Sequence, residues 1–284
     1  MRLAINRQHV RRLLCARACA LLITGLAASL CTALANDDIP GFAASNSPAD
    51  NGLAIATEAD RRGDGFGDSR STMRMTLFDD KGQSVERRMR SKTLEHASDG
   101  ERTLLVFDSP PDVRGTAFLT HSHAQADDDQ WLYLPSIKRV RRITSRNRSG
   151  RFMSSEFSYE DLGNDEIAKY TYRYLGEVTL DGEAAYKLER TPKRSSGYSR
   201  HEVWLARSTL NVLRVDYFDR SARLLKTLTA SDYQLYLERF WRPATMRMVN
   251  HQTGYSTTLQ WQDYAFGNGL AESEFERSAL RDTR

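Results

Sequence analysis

The chain has 284 residues, with 41 Lys and Arg against 37 Asp and Glu and a formal net charge of +4 at pH 7. Five of the arginines and no acid fall within residues 1–35, so the remainder balances 36 cations against 37 acids. That near-neutral body lacks the broad basic surface that a nucleic acid requires, and no nucleic-acid partner is expected.

Residues 1–35 read as a secretory signal peptide. Arg2, Arg7, Arg11 and Arg12 make a positive start, Leu13 to Leu30 is mostly apolar, and Ala33-Leu34-Ala35 is a small-x-small cleavage site. Cleavage after Ala35 is expected to deliver the rest of the chain to the periplasm. Arg17 interrupts the apolar run, which argues against a retained membrane anchor. Cys15, Cys19 and Cys31 all leave with the leader, so the exported chain has no disulfide and no thiolate metal site. Leu30 stands where lipidation of Cys31 calls for a small residue, and a lipoprotein anchor is not expected.

Residues 36–50 are polar and turn-rich and are expected to form a flexible lead into one domain over residues 51–284. Leu53, Ile55, Ala56 and Ala59 have the spacing of a short amphipathic helix, which stops at Arg61-Arg62-Gly63-Asp64-Gly65-Phe66-Gly67. Alternating patterns then predict strands at 72–77, 84–93, 102–107, 116–120, 130–134, 139–143 and 152–162. Further strands are predicted at 169–180, 184–190, 201–206, 211–217, 224–229, 233–240, 244–250 and 255–264. Asp79 to Gly82 and Asp181-Gly182 are hairpin turns, and a second short helix is expected at 124–129 or 271–280. No long helical period alternates with the strands, so the pattern predicts one antiparallel sandwich or barrel, not a parallel α/β sheet.

The apolar positions expected to face inward are Met73, Met75, Leu77, Met89, Phe107, Trp131, Tyr133, Tyr172, Trp204, Met246, Met248 and Trp261, with Leu188, Leu213, Leu225, Leu237 and Leu259. Any one of these is ordinary core material. Together the adaptable methionines and broad aromatics suit an apolar groove that receives flexible ligands.

Catalytic signals are weak. His121-Ser122-His123 precedes Asp127, Asp128 and Asp129, but a metal site needs further ligands in set geometry, and no metal or cofactor is expected. No G-x-S-x-G elbow anchors a hydrolase triad, and no phosphate-cradling loop opens a helix. Glu156, Glu160 and Asp161 could pair as glycosidase carboxylates, although charges on an exposed strand are commoner. An enzyme is not expected. One strong charge signal remains: Lys138, Arg139, Arg141, Arg142, Arg146, Arg148 and Arg151, with no acid among them. It reads as a patch for an anionic headgroup or an acidic partner surface, or as a solvated hairpin balanced by the acids on either side.

Four ordered blocks carry a family resemblance: Asp112–Thr120 (DVRGTAFLT), Asp129–Pro135 (DQWLYLP), Arg139–Ile143 (RVRRI) and Phe157–Leu162 (FSYEDL). With Arg61–Gly65 and Met73–Leu77, they resemble the bacterial outer-membrane lipoprotein-sorting proteins, a LolA-like group, from about Leu53 to the C-terminus. The resemblance implies a mainly β, half-open antiparallel barrel with a few short helices over its concave apolar face. It also implies a periplasmic carrier that shelters lipid or lipoprotein acyl chains, working beside an RND-type exporter of the inner membrane. It supplies no catalytic residue. The alternative is a non-lipid periplasmic adaptor that docks on a membrane transporter through the basic segment.

Overall fold

Period-two patterning in this chain becomes one continuous antiparallel sheet. The computed structural model describes residues 39–96, 99–163 and 166–282; the expected leader lies outside them. The strands are β1 (Asp68–Phe78), β2 (Ser84–His96), β3 (Gly100–Ser109), β4 (Ala117–His121), β5 (Asp129–Leu134) and β6 (Arg139–Ile143). They continue with β7 (Tyr170–Leu180), β8 (Glu183–Pro192), β9 (Tyr198–Ala206), β10 (Val212–Asp219), β11 (Leu224–Tyr236), β12 (Phe240–Asn250) and β13 (Ser256–Phe266).

Their order across the sheet is β6-β5-β4-β3-β2-β1-β13-β12-β11-β10-β9-β8-β7. The first and last strands pair in the middle, with Met75 opposite Leu259, and β6 and β7 become the two free edges. One interior draws on both halves: Met75, Phe107, Phe118 and Leu132 from one, Leu188, Val203, Val215 and Met248 from the other. The sheet is a half-open barrel, mainly β, as expected.

Helix α1 (Pro48–Gly63) starts where Ser47 Oγ accepts from the Asp50 amide and proline occupies the first turn. It carries Ile55 and Ala56 into the core and packs along the edge strand β7. Gly52 allows that approach, since a Cβ there would stand 2.8 Å from the Tyr174 nitrogen. Ahead of the helix, residues 39–47 make turns, with Ile39 buried and Phe42 edge-on to Tyr174.

Three expected elements differ. The segment 152–162 is not a strand but two 3-10 turns, Phe152–Ser154 and Glu160–Leu162, held by a single bridge between Arg151 and Ser158. Met153 and Ser154 have positive φ, which breaks the extended run, and Phe152 and Phe157 turn into the barrel instead of pairing at its edge. The expected strands at 224–229 and 233–240 are joined: β11 runs through Tyr236, with Asp232 at positive φ inside it. No helix forms at 124–129, where Ser122 Oγ, the His123 amide and Lys169 converge on the Asp128 carboxylate. At the C-terminus two 3-10 turns, Glu272–Phe275 and Ala279–Arg281, bury Phe275 and Leu280.

Candidate functional site

The barrel interior is divided between a packed half and a hollow half. In the packed half, the excursion between β6 and β7 fills the concave face: Phe152 stands 5.0 Å from the Phe118 ring and 5.9 Å from Phe107. Met73, Met75, Met89 and Phe107 are buried in this core, and Met248 on β12 is buried as well. All five are expected from the sequence to line a groove; they are buried in packed core instead, with the aromatic excursion against Phe107.

The hollow half lies between α1 and strands β7 to β12 and encloses a cavity of about 670 Å³. Leu188, Val203, Leu205, Val215, Leu228 and Met246 line it, with Ala56 and Ala59 of α1 as its cover. Of the positions expected to face inward, Tyr172, Leu188 and Met246 reach it. Leu77 and Trp261 are half-buried against the core, and Trp261 lines a smaller cavity instead.

Trp131, Tyr133 and Trp204 do not face inward. Trp131 and Tyr133 pack with Leu104, Val106, Leu119 and the C-terminal Phe275 and Leu280, a second apolar cluster on the opposite face. Their neighbours Leu132 and Leu134 take the inward positions. Trp204 lies between Lys187, 4.6 Å from its ring, and Arg214, 5.0 Å away, while Val203 and Leu205 face the cavity. Alternation identifies two faces of a strand but not which one is concave.

Charged groups mark both ends of the cavity. At its mouth stand Arg61 and Arg62, Arg239 and Arg242, with Trp241. Arg61 and Arg62 share the Glu58 carboxylate, at 2.7 and 2.8 Å, and the two guanidinium partners hold that carboxyl at about 2 against the cost of burial. Arg239 donates to the Asp64 carbonyl and Arg242 to that of Gly63, so two cations satisfy the electronegative C-terminal end of α1. At the inner end, Lys226 reaches Asp161 and the Glu156 carbonyl, and the Tyr198 hydroxyl donates to Asp161. Next to them Arg190 Nε donates to His201 Nδ1, and burial together with the Arg190 and Lys226 cations holds the His201 ring well below its usual range. Glu58, Arg61 and Arg62 are neighbours on one helix, but Arg239, Arg242 and the Lys226–Asp161 group meet partners far away in sequence, so no local motif announces them.

The smaller cavity, about 270 Å³, lies beside the end of α1 and is lined by Asp64, Glu101, Arg242 and several serines. Burial raises the Glu101 carboxyl to about 7; Arg242 opposes this and Glu95, Glu166 and Asp64 add to it. The Gly65 and Gly67 amides, a cradle of the kind that can hold an anion, are taken by the Glu95 carboxylate at 2.7 and 2.6 Å.

The other sequence candidates resolve into structural ties. His121 meets the Phe275 carbonyl, and His123 meets Asp99 and Asp129. Glu156 is bound by Arg151 and Asn250, and Glu160 accepts from Ser196 and the Gly197 amide. In the basic segment, Arg142, Arg148 and Arg151 pair with Asp129, Asp127 and Glu156. Lys138, Arg139, Arg141 and Arg146 are exposed. Arg139 and Arg141 lie on the edge strand β6, where charge discourages strand-to-strand association.

A family model described as an uncharacterized protein matches residues 99–282. A Vibrio parahaemolyticus domain assigned to the outer membrane lipoprotein-sorting proteins is 48% identical; the match covers 82% of this chain and 99% of that one, with a TM-score of 0.81. A DUF1329 family protein from Desulfovibrio piger is 36% identical over 83% of this chain and 100% of its own, with a TM-score of 0.79. A LolA superfamily protein from Nitrosomonas europaea, 20% identical with a TM-score of 0.65, shares the fold over 80% of this chain and 98% of its own. No curated protein matches the sequence.

Proposed function

This chain belongs to the outer membrane lipoprotein-sorting and DUF1329 family, and from that premise we propose that it is a periplasmic carrier of lipid or lipoprotein acyl chains. The cargo's apolar part occupies the cavity between α1 and strands β7 to β12. The single observation that carries this reading is the cavity itself, about 670 Å³ with an aliphatic wall. That size falls within the range of about 300–1,000 Å³ in which ligand pockets enclose a small molecule.

The energetics fit a carrier. Each methylene withdrawn from water contributes about 0.8 kcal/mol, so a dodecyl chain gains roughly 9 kcal/mol before ordering and association costs are subtracted. Release follows from a better acceptor, another membrane or an RND-type exporter, or from withdrawal of α1, which touches the sheet along one edge strand and at β12.

Native mass spectrometry of the protein purified from periplasm tests the proposal. Bound amphiphile that a fluorescent fatty acid displaces supports it. Protein free of amphiphile that also ignores the fatty acid sinks it. A second reading, an adaptor that docks on a transporter, rests on the exposed Lys138, Arg139, Arg141 and Arg146. Reversing charge at Arg139 and Arg141 should then abolish transporter association and leave fatty-acid binding intact.

A further inference from the structure

The turn between β11 and β12 is built against local preference. Leu237 and Glu238 have φ of 49° and 56°, and the Arg239 amide closes the turn on the Tyr236 carbonyl. A tight hairpin with two left-handed residues favours Asn-Gly or Asp-Gly, and a leucine is poorly suited to that conformation. Nothing in the fold compensates by burying it: Leu237 is 64% exposed. Strain of this kind at an exposed side chain points to a use outside the folded core.

Leu237 is not isolated. Leu235 and Trp241 are direct cross-strand partners just behind the turn, 47% and 37% exposed. Trp241 lines the mouth of the large cavity, and Tyr233 and Pro243, paired two positions further along the strands, line it too. An apolar path therefore runs from the tip of the hairpin into the cavity. Exposed guanidiniums of Arg61 and Arg239, which also hold Glu58 and the Asp64 carbonyl, flank the same mouth; Asp60 is the acid beside them in the lining and Glu238 the one acid in the turn. Aliphatic side chains at a tip, a tryptophan behind them and arginines at the level of the tryptophan form the pattern of a segment that sits at a membrane interface.

We infer that the β11–β12 hairpin docks the mouth of the cavity onto a phospholipid bilayer, with Leu237 and Leu235 entering the acyl region, Trp241 at the interface and Arg61 and Arg239 on headgroup phosphates. Cargo then passes between bilayer and cavity along the Trp241 wall without crossing water. The inference rests on the carrier reading above and adds where the carrier meets its membrane.

Flotation with phosphatidylethanolamine–phosphatidylglycerol vesicles tests it, alongside binding of a fluorescent fatty acid below its micellar concentration. Leu237→Gly is the informative variant, because glycine suits the left-handed turn and the fold is preserved. Expected are flotation of the parent protein, about tenfold weaker partitioning for Leu237→Gly, and a similar loss for Trp241→Ser, with fatty-acid binding by Leu237→Gly unchanged. A parent protein that binds the fatty acid but does not float overturns the inference and leaves the carrier reading standing. One that does neither overturns both. Flotation that is indifferent to Leu237→Gly and Trp241→Ser also overturns it. So does a parent dimer that Leu237→Gly converts to monomer without vesicle binding, since the tip would then be a contact between copies.

Discussion

Lys226 and Asp161 form an ion pair in the barrel interior, with side chains only 4% and 2% exposed. The pair joins β11 on the concave wall to the excursion between β6 and β7. Tyr198 and the Ser158 amide also donate to the same carboxylate. Lys226→Met leaves the Asp161 charge buried without its cation, and a loss of about 3–5 kcal/mol is expected in urea unfolding. Adding Asp161→Asn removes the stranded charge while keeping an acceptor for Tyr198, so the double variant should regain part of that loss. A double variant no better than the single would show that the ion pair is not what ties the excursion down.

The Glu101 carboxyl is raised to about 7, chiefly by burial. Between its ordinary value of 4.5 and that point the folded protein binds more protons than the unfolded chain, so stability falls as pH rises through this window and levels off above it. Glu101→Gln should flatten that slope and stabilise the protein at pH 8 relative to the parent. Urea midpoints at pH 5 and pH 8 read both effects. A parent midpoint that rises between the two values, with no response to the variant, would contradict the assignment.

Ala59 on α1 faces the large cavity and is half-buried. Ala59→Phe places a ring in empty space, so the fold should tolerate it. Fatty-acid affinity should drop, and more for long chains than for short ones, because the added ring shortens the available path. Competition titrations with a series of chain lengths check this; equal affinity across the series would place the acyl chain elsewhere.

Gly52 admits the helix to the β7 backbone, with Arg173 and Tyr174 backbone atoms within 2.9 Å of where a Cβ would stand. Gly52→Ala gains helix propensity yet forces α1 away from its seat. The clash should prevail, with a net destabilisation of about 1–3 kcal/mol by thermal or urea unfolding. A more stable variant would mean that α1 is not held against β7 in solution.

The strands were legible because alternation is a local property. Thr72 to Leu77 and Arg139 to Ile143 announce themselves in five or six residues, and they sit in β1 and β6. The family blocks were legible for the same reason. The faces were not. Trp131 and Trp204 are as apolar as Leu132 and Val203, and only curvature and the C-terminal cover decide which of them points outward. The excursion was misread because Phe152 and Phe157 have strand-like spacing, while the positive φ of Met153 and Ser154 depends on where those rings find burial.

A β-rich chain with turns at its hairpins, an arginine-bearing N-terminal segment and a near-neutral remainder are all legible in the sequence, since each follows from composition or from neighbours a few residues apart. Which methionines fill core and which wall faces a void was settled by the closing of the sheet. The same closing decided that Arg61, Arg239 and Trp241 share one mouth and that Lys226 neutralises Asp161. Those outcomes depend on contacts between residues tens to nearly two hundred positions apart, which the closing of the sheet brings together.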